Sequence, residues 1–496
     1  MTHIPTLMAT QHPDSAKKYV SVQKEVDEAL DAFTDGRDAG LSYDEYKVDY
    51  EGKLTPYHQP AQIVSKVLSQ GIIPGKDVFV TPRMPSAKEE SVFRQLMTMM
   101  AAIEADYNVQ DKIDSPAIVE IVNPMTQDAN ELIEVRKRLN HLIVLANESL
   151  KSKLKPDDMR IIPLFEHFST LTGADKVIGR YVSEVKGLRH IRVFLGRSDP
   201  ALFSGFVSAA IAVKIAISKL YALSDETGVS VYPILGVGSI PFRGHLTPEN
   251  VENVVREYGG CRTVTVQSAL RYDYPKHKVK QTIRYLKSQL PNSPPVKFTH
   301  KQVEHLVEIA RTFSEAYEEF LSQTIEVVAK ISEAIPNQRD RLVTSMGLGY
   351  GRTTASILGT TVPRVIKATA SFYSVGIPPE LLGLGSALER LSPQQLEMLN
   401  QVYPSLVEDA KKAARYSDLR VARRLIGHRT SAAVAKDLEK ARRILAIDIE
   451  TDEEYDALLT SLEPHLGAFL KNPSPRAAKD ARKLICQMGS LRGALG

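Results

Sequence analysis

Short runs rich in β-branched residues recur along this chain, and each is followed by turn or capping residues and then a helical pattern. This feature limits the fold most strongly, because repeated strand-and-helix units build an α/β fold with parallel strands. Eight such units predict a closed (β/α)8 barrel of the TIM type. The predicted strands are Thr6–Thr10, Val78–Thr81, Ile118–Val122, Ile161–Phe165, Ile191–Leu195, Val231–Leu235, Thr263–Val266 and Leu342–Ser345.

The length of 496 residues is more than a simple barrel requires. The intervals Tyr19–Gly71 and Tyr274–Arg341 exceed one strand-and-helix repeat, so we interpret them as helices and loops inserted into the barrel. From Ser386 onward the pattern is helical and charged, without strand signals. We therefore predict a catalytic barrel with helical insertions over residues 1–385 and a helical C-terminal region, packed on the barrel, over residues 386–496.

Composition places the chain among ordinary globular proteins, with 43% hydrophobic and 25% charged residues. The 63 basic and 59 acidic side chains are scattered rather than gathered into a stripe, which gives little support to a nucleic-acid partner. Cys261 and Cys486 are the only cysteines, so neither a disulfide framework nor a thiolate zinc site is supported. These observations favour a reducing, cytoplasmic location.

Neither a secretory signal nor a membrane span is predicted. The N-terminal residues lack a basic region followed by an apolar stretch and a small-residue cleavage site. The most apolar stretch, Phe203–Leu223, is interrupted by Lys214 and Lys219, so we interpret it as a buried amphipathic helix.

Polar residues stand just past the predicted strands. In barrels of this kind the C-terminal ends of the strands build the active site, so these side chains are expected to meet at one mouth. Two carboxylates and several arginines there indicate a metal ion and a polyanionic substrate. The residues are Arg83, Glu166, Asp199, Arg243, Gln267 and Arg352.

Glu166 and Asp199 are the candidate metal ligands, since carboxylate oxygens suit Mg²⁺ or Mn²⁺. For Asp199 a structural alternative stays open, because an aspartate directly before a proline often caps a helix. Arg243 lies in a glycine-rich loop before a helix start, which can bind phosphate, but such an arginine can equally face solvent. His12, in MATQHPD, can transfer protons near neutral pH, although a lone histidine is usually structural.

Seven segments, read in order, resemble the signatures of the phosphoenolpyruvate carboxylase family, and the short chain resembles its archaeal-type branch. The resemblance extends from His12 to Gly385, and its specificity comes from several separated motifs in one order. The segments are MATQHPD, VFVTPRMPSAKEES, IIPLFEHFST, LGRSDPALFSG, SIPFRGH, TVTVQS and PRVIKATASFYSVGIPPELLGLG.

The resemblance implies a barrel with extra helices, Mg²⁺ or Mn²⁺, and the irreversible conversion of phosphoenolpyruvate and bicarbonate to oxaloacetate and phosphate, through carboxyphosphate and a metal-bound enolate. It also implies a homotetramer. By motif, Glu166 and Asp199 would hold the metal and His12 would act as acid and base. Arg243 would stabilise the transferring phosphoryl group. The implied substrate contacts are Arg83, Arg352 and Arg364, with Gln267 as a further pocket residue.

The chain departs from the longer members of that family. SIPFRGHL lacks their second arginine-glycine repeat and the chain has no tryptophan, so the bicarbonate contacts do not carry over. The C-terminal segment QMGSLRGALG is a candidate for approaching the active site. Two other functions stay open: a metal-dependent barrel aldolase acting on a pyruvate enolate, and a basic RNA-binding protein, which only the pI near 8.7 favours.

Overall fold

Eight parallel strands close into a barrel in which each strand pairs with its neighbours in sequence and the eighth pairs with the first. The structure is a computed structural model that describes residues 3–34, 42–53, 55–340, 354–357, 360–448 and 450–496. The strands are β1 (Leu7–Thr10), β2 (Glu45–Asp49), β3 (Phe79–Arg83), β4 (Glu120–Asn123), β5 (Arg160–Phe165), β6 (His190–Gly196), β7 (Ser230–Gly236) and β8 (Thr263–Val266).

Helices follow the strands and cover the outside of the barrel. Those of the barrel region are α1 (Glu25–Thr34), α2 (Gln59–Ser69), α3 (Val92–Tyr107), α4 (Ala129–Leu150), α5 (Phe168–Thr172), α6 (Ala174–Glu184), α7 (Ser198–Ser204), α8 (Phe206–Thr227), α9 (Val251–Glu257), α10 (Ser268–Tyr272), α11 (Lys276–Gln289) and α12 (His300–Ile331). Short 3-10 helices lie at Val22–Lys24, Pro241–Arg243, Leu290–Asn292 and Pro379–Leu381.

Beyond α12, an antiparallel pair of strands precedes a series of helices. The strands are β9 (Thr354–Ile357) and β10 (Thr360–Pro363). The helices are α13 (Val365–Ser374), α14 (Leu384–Arg390), α15 (Pro393–Val402), α16 (Leu406–Ala414), α17 (Leu419–Ile426), α18 (His428–Leu445), α19 (Glu453–Lys471) and α20 (Pro475–Arg492).

The predicted (β/α)8 barrel is confirmed, but one of its strands was assigned wrongly. The second strand is β2, which lies inside the interval 19–71 that we interpreted as inserted helices and loops. Leu342–Ser345, predicted as the eighth strand, lies outside the described residues, and the eight places in the barrel are taken by β1 to β8.

The inside of the barrel is layered. Its middle is an apolar layer made by one residue or more from each of five strands: Met8, Val122, Ile162, Leu164, Phe194 and Ile234. Towards the N-terminal ends of the strands, buried Arg192 lies 2.7 Å from Glu45 and 2.9 Å from Glu120. Beyond the apolar layer, a cavity opens towards the C-terminal strand ends, where barrels of this kind carry their active sites.

Helix α8 is the most apolar helix, and it is a core element. By length and hydropathy it could cross a membrane, yet 83% of its most apolar window is buried inside the protein. Lys214 in its middle is buried and pairs with Glu257. The predicted burial of this segment is confirmed, because α12 and the C-terminal helices cover it.

Two large apolar cores hold the chain together. The first lies between the outer face of the barrel and α1 to α6 and α8 to α11. The second joins α8, α12 and α13 to the helices from α14 to α20. It also takes in Ile240 and Phe242, which belong to the loop after β7. The division at residue 385 stays a prediction, since the second core spans it.

Candidate active site

A cavity of about 660 Å³ opens at the C-terminal ends of the barrel strands. Its floor contains Leu164 and Phe194 from the apolar layer. Its walls carry most of the site residues that were predicted from the sequence: His12, Arg83, Glu166, Asp199, Arg243, Gln267 and Arg364. The structure therefore brings seven predicted site residues to one place, while Arg352 lies outside the described residues.

Arg83, the last residue of β3, is held by two acids from the end of β2. Its Nε and Nη2 donate to the two carboxylate oxygens of Asp49 at 2.7 and 2.6 Å. Its Nη1 lies 2.5 Å from Glu51 Oε2. Burial alone would raise the pKa of Asp49, but the charges of Arg83 and Lys47 hold it well below its usual value. The guanidinium is therefore fixed in one orientation at the cavity wall.

Arg364, at the N-cap of α13, connects three carboxylates. Its Nη2 donates to Asp199 Oδ2 at 2.7 Å and lies 3.9 Å from Glu166 Oε1. Its Nη1 donates to Glu51 Oε1 at 3.0 Å. Asp199 is in the first turn of α7, whose N-cap is Arg197, so the capping alternative for Asp199 is wrong. Glu166 and Asp199 consequently face one point rather than opposite sides of the molecule.

The donor set at this point fits a hard divalent cation. Glu166 follows β5 directly, and burial together with the nearby charges of Glu51 and Asp199 raises its pKa. A bound divalent cation would offset this repulsion between acids. In the described part of the chain no three acidic, histidine or cysteine side chains converge as ligands. A site with two carboxylates is still usual for Mg²⁺, which keeps water and takes substrate oxygens.

Arg243 ends the 3-10 helix after β7 and is buried among fixed partners. Its Nη1 donates to Asp14 Oδ2 at 3.2 Å and to the main-chain oxygen of Gly496 at 2.6 Å. Its Nη2 donates to Gln267 Oε1, and its Nε to Ser198 at 3.1 Å. The expected approach of the C-terminal segment to the site is thus confirmed, and the alternative of a solvent-facing Arg243 is wrong.

Close packing around Arg243 explains one glycine of this loop. A Cβ atom at Gly238 would lie 2.9 Å from the Cζ atom of Arg243. Since Cβ atoms do not approach other atoms so closely, any side chain at position 238 would displace the guanidinium. Gly238 therefore leaves the space that the guanidinium of Arg243 occupies.

His12 lies two residues past β1, and its Nδ1 is 2.9 Å from the hydroxyl of Thr10. Burial, followed by the positive charges of Lys47 and Arg83, lowers its pKa well below the usual value. The imidazole is therefore neutral at neutral pH and is able to accept a proton.

The sequence prediction missed Lys47, Asp49 and Glu51 because it missed β2. The segment EYKVDYE, residues 45–51, alternates charged with apolar or aromatic residues, which is the period of a half-buried strand. In the barrel its charged positions point inward, while Tyr46 and Val48 join the outer core. This alternation was the signal that could have located them.

One cavity at the C-terminal end of the (β/α)8 barrel is surrounded by carboxylates, guanidiniums and a neutral histidine. This arrangement defines an enzyme that acts on a small, multiply charged anion. The phosphoenolpyruvate carboxylase family model matches residues 4–496. The chain belongs to this family, in its archaeal-type branch. The family is generally metal-dependent.

Relatives that are phosphoenolpyruvate carboxylases match this chain over its full length. A phosphoenolpyruvate carboxylase of Methanosarcina barkeri is 35% identical over 533 residues, covering 100% of this chain and 99% of the relative. One of Methanopyrus kandleri is 35% identical, covering 99% and 98%. Among solved structures, a malate synthase of Haloferax volcanii is 11% identical with a TM-score of 0.40, covering 82% of this chain and 97% of that one.

Proposed function

We propose that this chain is a phosphoenolpyruvate carboxylase that converts phosphoenolpyruvate and bicarbonate irreversibly to oxaloacetate and phosphate. Such a reaction supplies four-carbon acids to metabolism. The observation that carries the proposal is the family match over residues 4–496, together with a cavity whose residue types suit a phosphorylated, carboxylated substrate.

The arginines of the cavity would bind the substrate. Arg83 and Arg364, with Arg352, would contact its phosphoryl and carboxylate oxygens, and Gln267 would line the pocket. Arg83 and Arg364 are fixed by acids of the protein, so their orientation is set before the substrate arrives. Arg243 would stabilise the charge on the equatorial oxygens of the transferring phosphoryl group. Hydrogen-bond donors that are already held in place before the reaction are the most effective in this role.

Glu166 and Asp199 would hold Mg²⁺ or Mn²⁺, which when bound would polarise the phosphoryl and enolate oxygens. Bicarbonate would attack phosphorus, giving carboxyphosphate and the enolate of pyruvate. Neutral His12 would accept the proton of carboxyphosphate as its carbon–oxygen bond to phosphate breaks, releasing carbon dioxide. The enolate carbon would then bond to carbon dioxide, giving oxaloacetate. The apolar floor formed by Leu164 and Phe194 would limit water that could protonate the enolate.

We extend the proposal to a cytoplasmic homotetramer whose partners are small molecules rather than nucleic acid or membrane. A nearly balanced charge of +4 and the burial of the apolar helix α8 support the absence of those larger partners.

Oxaloacetate formation from phosphoenolpyruvate, with bicarbonate and Mg²⁺ each omitted in turn, tests the proposal. We expect product only in the complete mixture, with one phosphate released for each oxaloacetate. Turnover of an aldol substrate without phosphate release would support the aldolase alternative. Salt-sensitive RNA retention without any metal requirement would support the binding-protein alternative.

A further inference from the structure

Lys47 occupies the middle of β2 and points into the barrel. The side chains of Glu45 and Asp49, two residues before and after it, also point inward, as the period of a strand requires. Glu45 belongs to the buried ion layer below and Asp49 to the cavity wall above. Lys47 therefore lies between these layers, at the floor of the cavity, where its side chain is 0% exposed.

Within the ranges that the structure describes, the ammonium group of Lys47 lacks the carboxylate partner that Arg83, Arg243 and Arg364 of the cavity each have. Among the described residues, its Nζ atom has no hydrogen-bond acceptor. Arg83, Arg243 and Arg364 each pair with a protein carboxylate. Lys47 Nζ lies 5.8 Å from the centroid of the Phe194 ring.

We propose that Lys47 binds a carboxylate-type oxyanion at the floor of the cavity, beside His12. This inference rests on the proposed function and extends it, since it names a binding group for one of the two substrates. Both bicarbonate and the carboxylate of phosphoenolpyruvate present this chemistry. The experiment below distinguishes between these two sources.

The physical reason is the cost of a buried cation without a partner. A buried ammonium that makes no hydrogen bond is strongly unfavourable, so such groups either lose their proton or pair with an anion. Burial and the neighbouring Arg83 lower the pKa of Lys47 to about 7, against the opposing charges of Asp49, Glu51 and Glu166. An oxyanion at Nζ would supply the missing acceptor and keep the lysine charged.

The surroundings favour a small planar anion. Leu164 and Phe194 form an apolar floor, and His12 lies near enough for the charge of Lys47 to lower its pKa. An anion held at Lys47 would therefore adjoin the imidazole that accepts a proton in the proposed reaction. The phosphoryl group has its own cations at the wall, Arg243 and Arg364.

The test is the Lys47→Met variant, which keeps the length of the side chain and removes its charge. We expect the KM for one substrate to rise at least tenfold, which corresponds to about 1.4 kcal/mol of lost binding. A rise for bicarbonate alone identifies bicarbonate as the ligand, and a rise for phosphoenolpyruvate alone identifies its carboxylate. If neither KM rises, whatever happens to kcat, the proposal is overturned.

Lys66→Met is the matched control, because Lys66 is exposed and pairs with the exposed Asp27 at 2.6 Å. Both KM values should stay within twofold of the wild type in this variant. The melting temperature separates binding from a structural role: it should stay unchanged or rise in Lys47→Met, since an unpaired buried charge is removed. If Lys47→Met and Lys47→Gln both fail to fold, Lys47 is structural and the proposal is overturned. An inactive wild type would instead contradict the proposed function.

Discussion

At the scale of single residues, the proposed metal site depends on Asp199, one of its two carboxylate ligands. It shares Arg364 with Glu51 and Glu166, so its removal leaves the arginine paired and should leave the fold intact. We expect Asp199→Ala to show no turnover above background at any Mg²⁺ concentration, because one of two carboxylate ligands is lost. A titration of rate against Mg²⁺ measures this. Asp27→Ala, at an exposed position, is the control, and full activity of Asp199→Ala would contradict the assignment.

Arg243 is predicted to act on the transferring phosphoryl group. Arg243→Ala should lower kcat by on the order of 10² or more, as for other lost electrostatic donors. The same change leaves the buried carboxylate of Asp14 without its cation. The double variant with Asp14→Asn should therefore recover thermal stability but not rate. Recovery of the rate as well would mean that Arg243 serves only to neutralise Asp14.

At the scale of elements, Glu380 fastens the short helix that carries Arg243. Its Oε1 accepts hydrogen bonds from the main-chain N–H of Phe242 at 2.8 Å and from the hydroxyl of Tyr373 at 3.0 Å. Burial raises its pKa from the usual 4.5 to about 7. The folded protein thus binds this proton more tightly than the unfolded chain does, and folding stability is lost as pH rises from 4.5 through 7.

Glu380→Gln keeps both acceptor contacts and removes the titration. Its free energy of unfolding should exceed that of the wild type at pH 8, by a difference on the order of 3 kcal/mol, and the excess should shrink towards pH 5. Urea unfolding at the two pH values measures this. An equal difference at both pH values would show that the carboxyl group of Glu380 does not titrate in this range.

The strands also show which parts of the fold could be predicted from the sequence and which could not. Seven strands were located because their outward faces are apolar and, in most of them, include β-branched residues. β2 was missed because its inward residues Glu45, Lys47 and Asp49 are charged. The burial of Glu45 and Asp49 is stabilised by Arg192 and Arg83, which lie farther along the chain. The approach of the C-terminal segment to the site was predicted, but its contact between Arg243 and Gly496 was not, because these residues are 253 positions apart and no local pattern encodes their pairing.

At the scale of the whole molecule, the C-terminal helices and the active site share one core. This second core contains Leu466 of α19 together with Ile240 and Phe242 of the loop that carries Arg243. A region that shares a core with the loop of the barrel should unfold with it. We therefore predict a single unfolding transition, at which activity and secondary structure are lost together.

Leu466→Ala tests this coupling, because Leu466 is 0% exposed and its truncation leaves a cavity. We expect a loss of about 2–5 kcal/mol in the free energy of unfolding, and a calorimetric transition that moves to lower temperature as one peak. Leu145→Ala, at a position 52% exposed, should change the free energy by no more than about 0.5 kcal/mol. Two peaks, of which Leu466→Ala moves only one, would show that the helices after residue 385 fold independently. The loop of Arg243 would then draw its rigidity from the barrel alone.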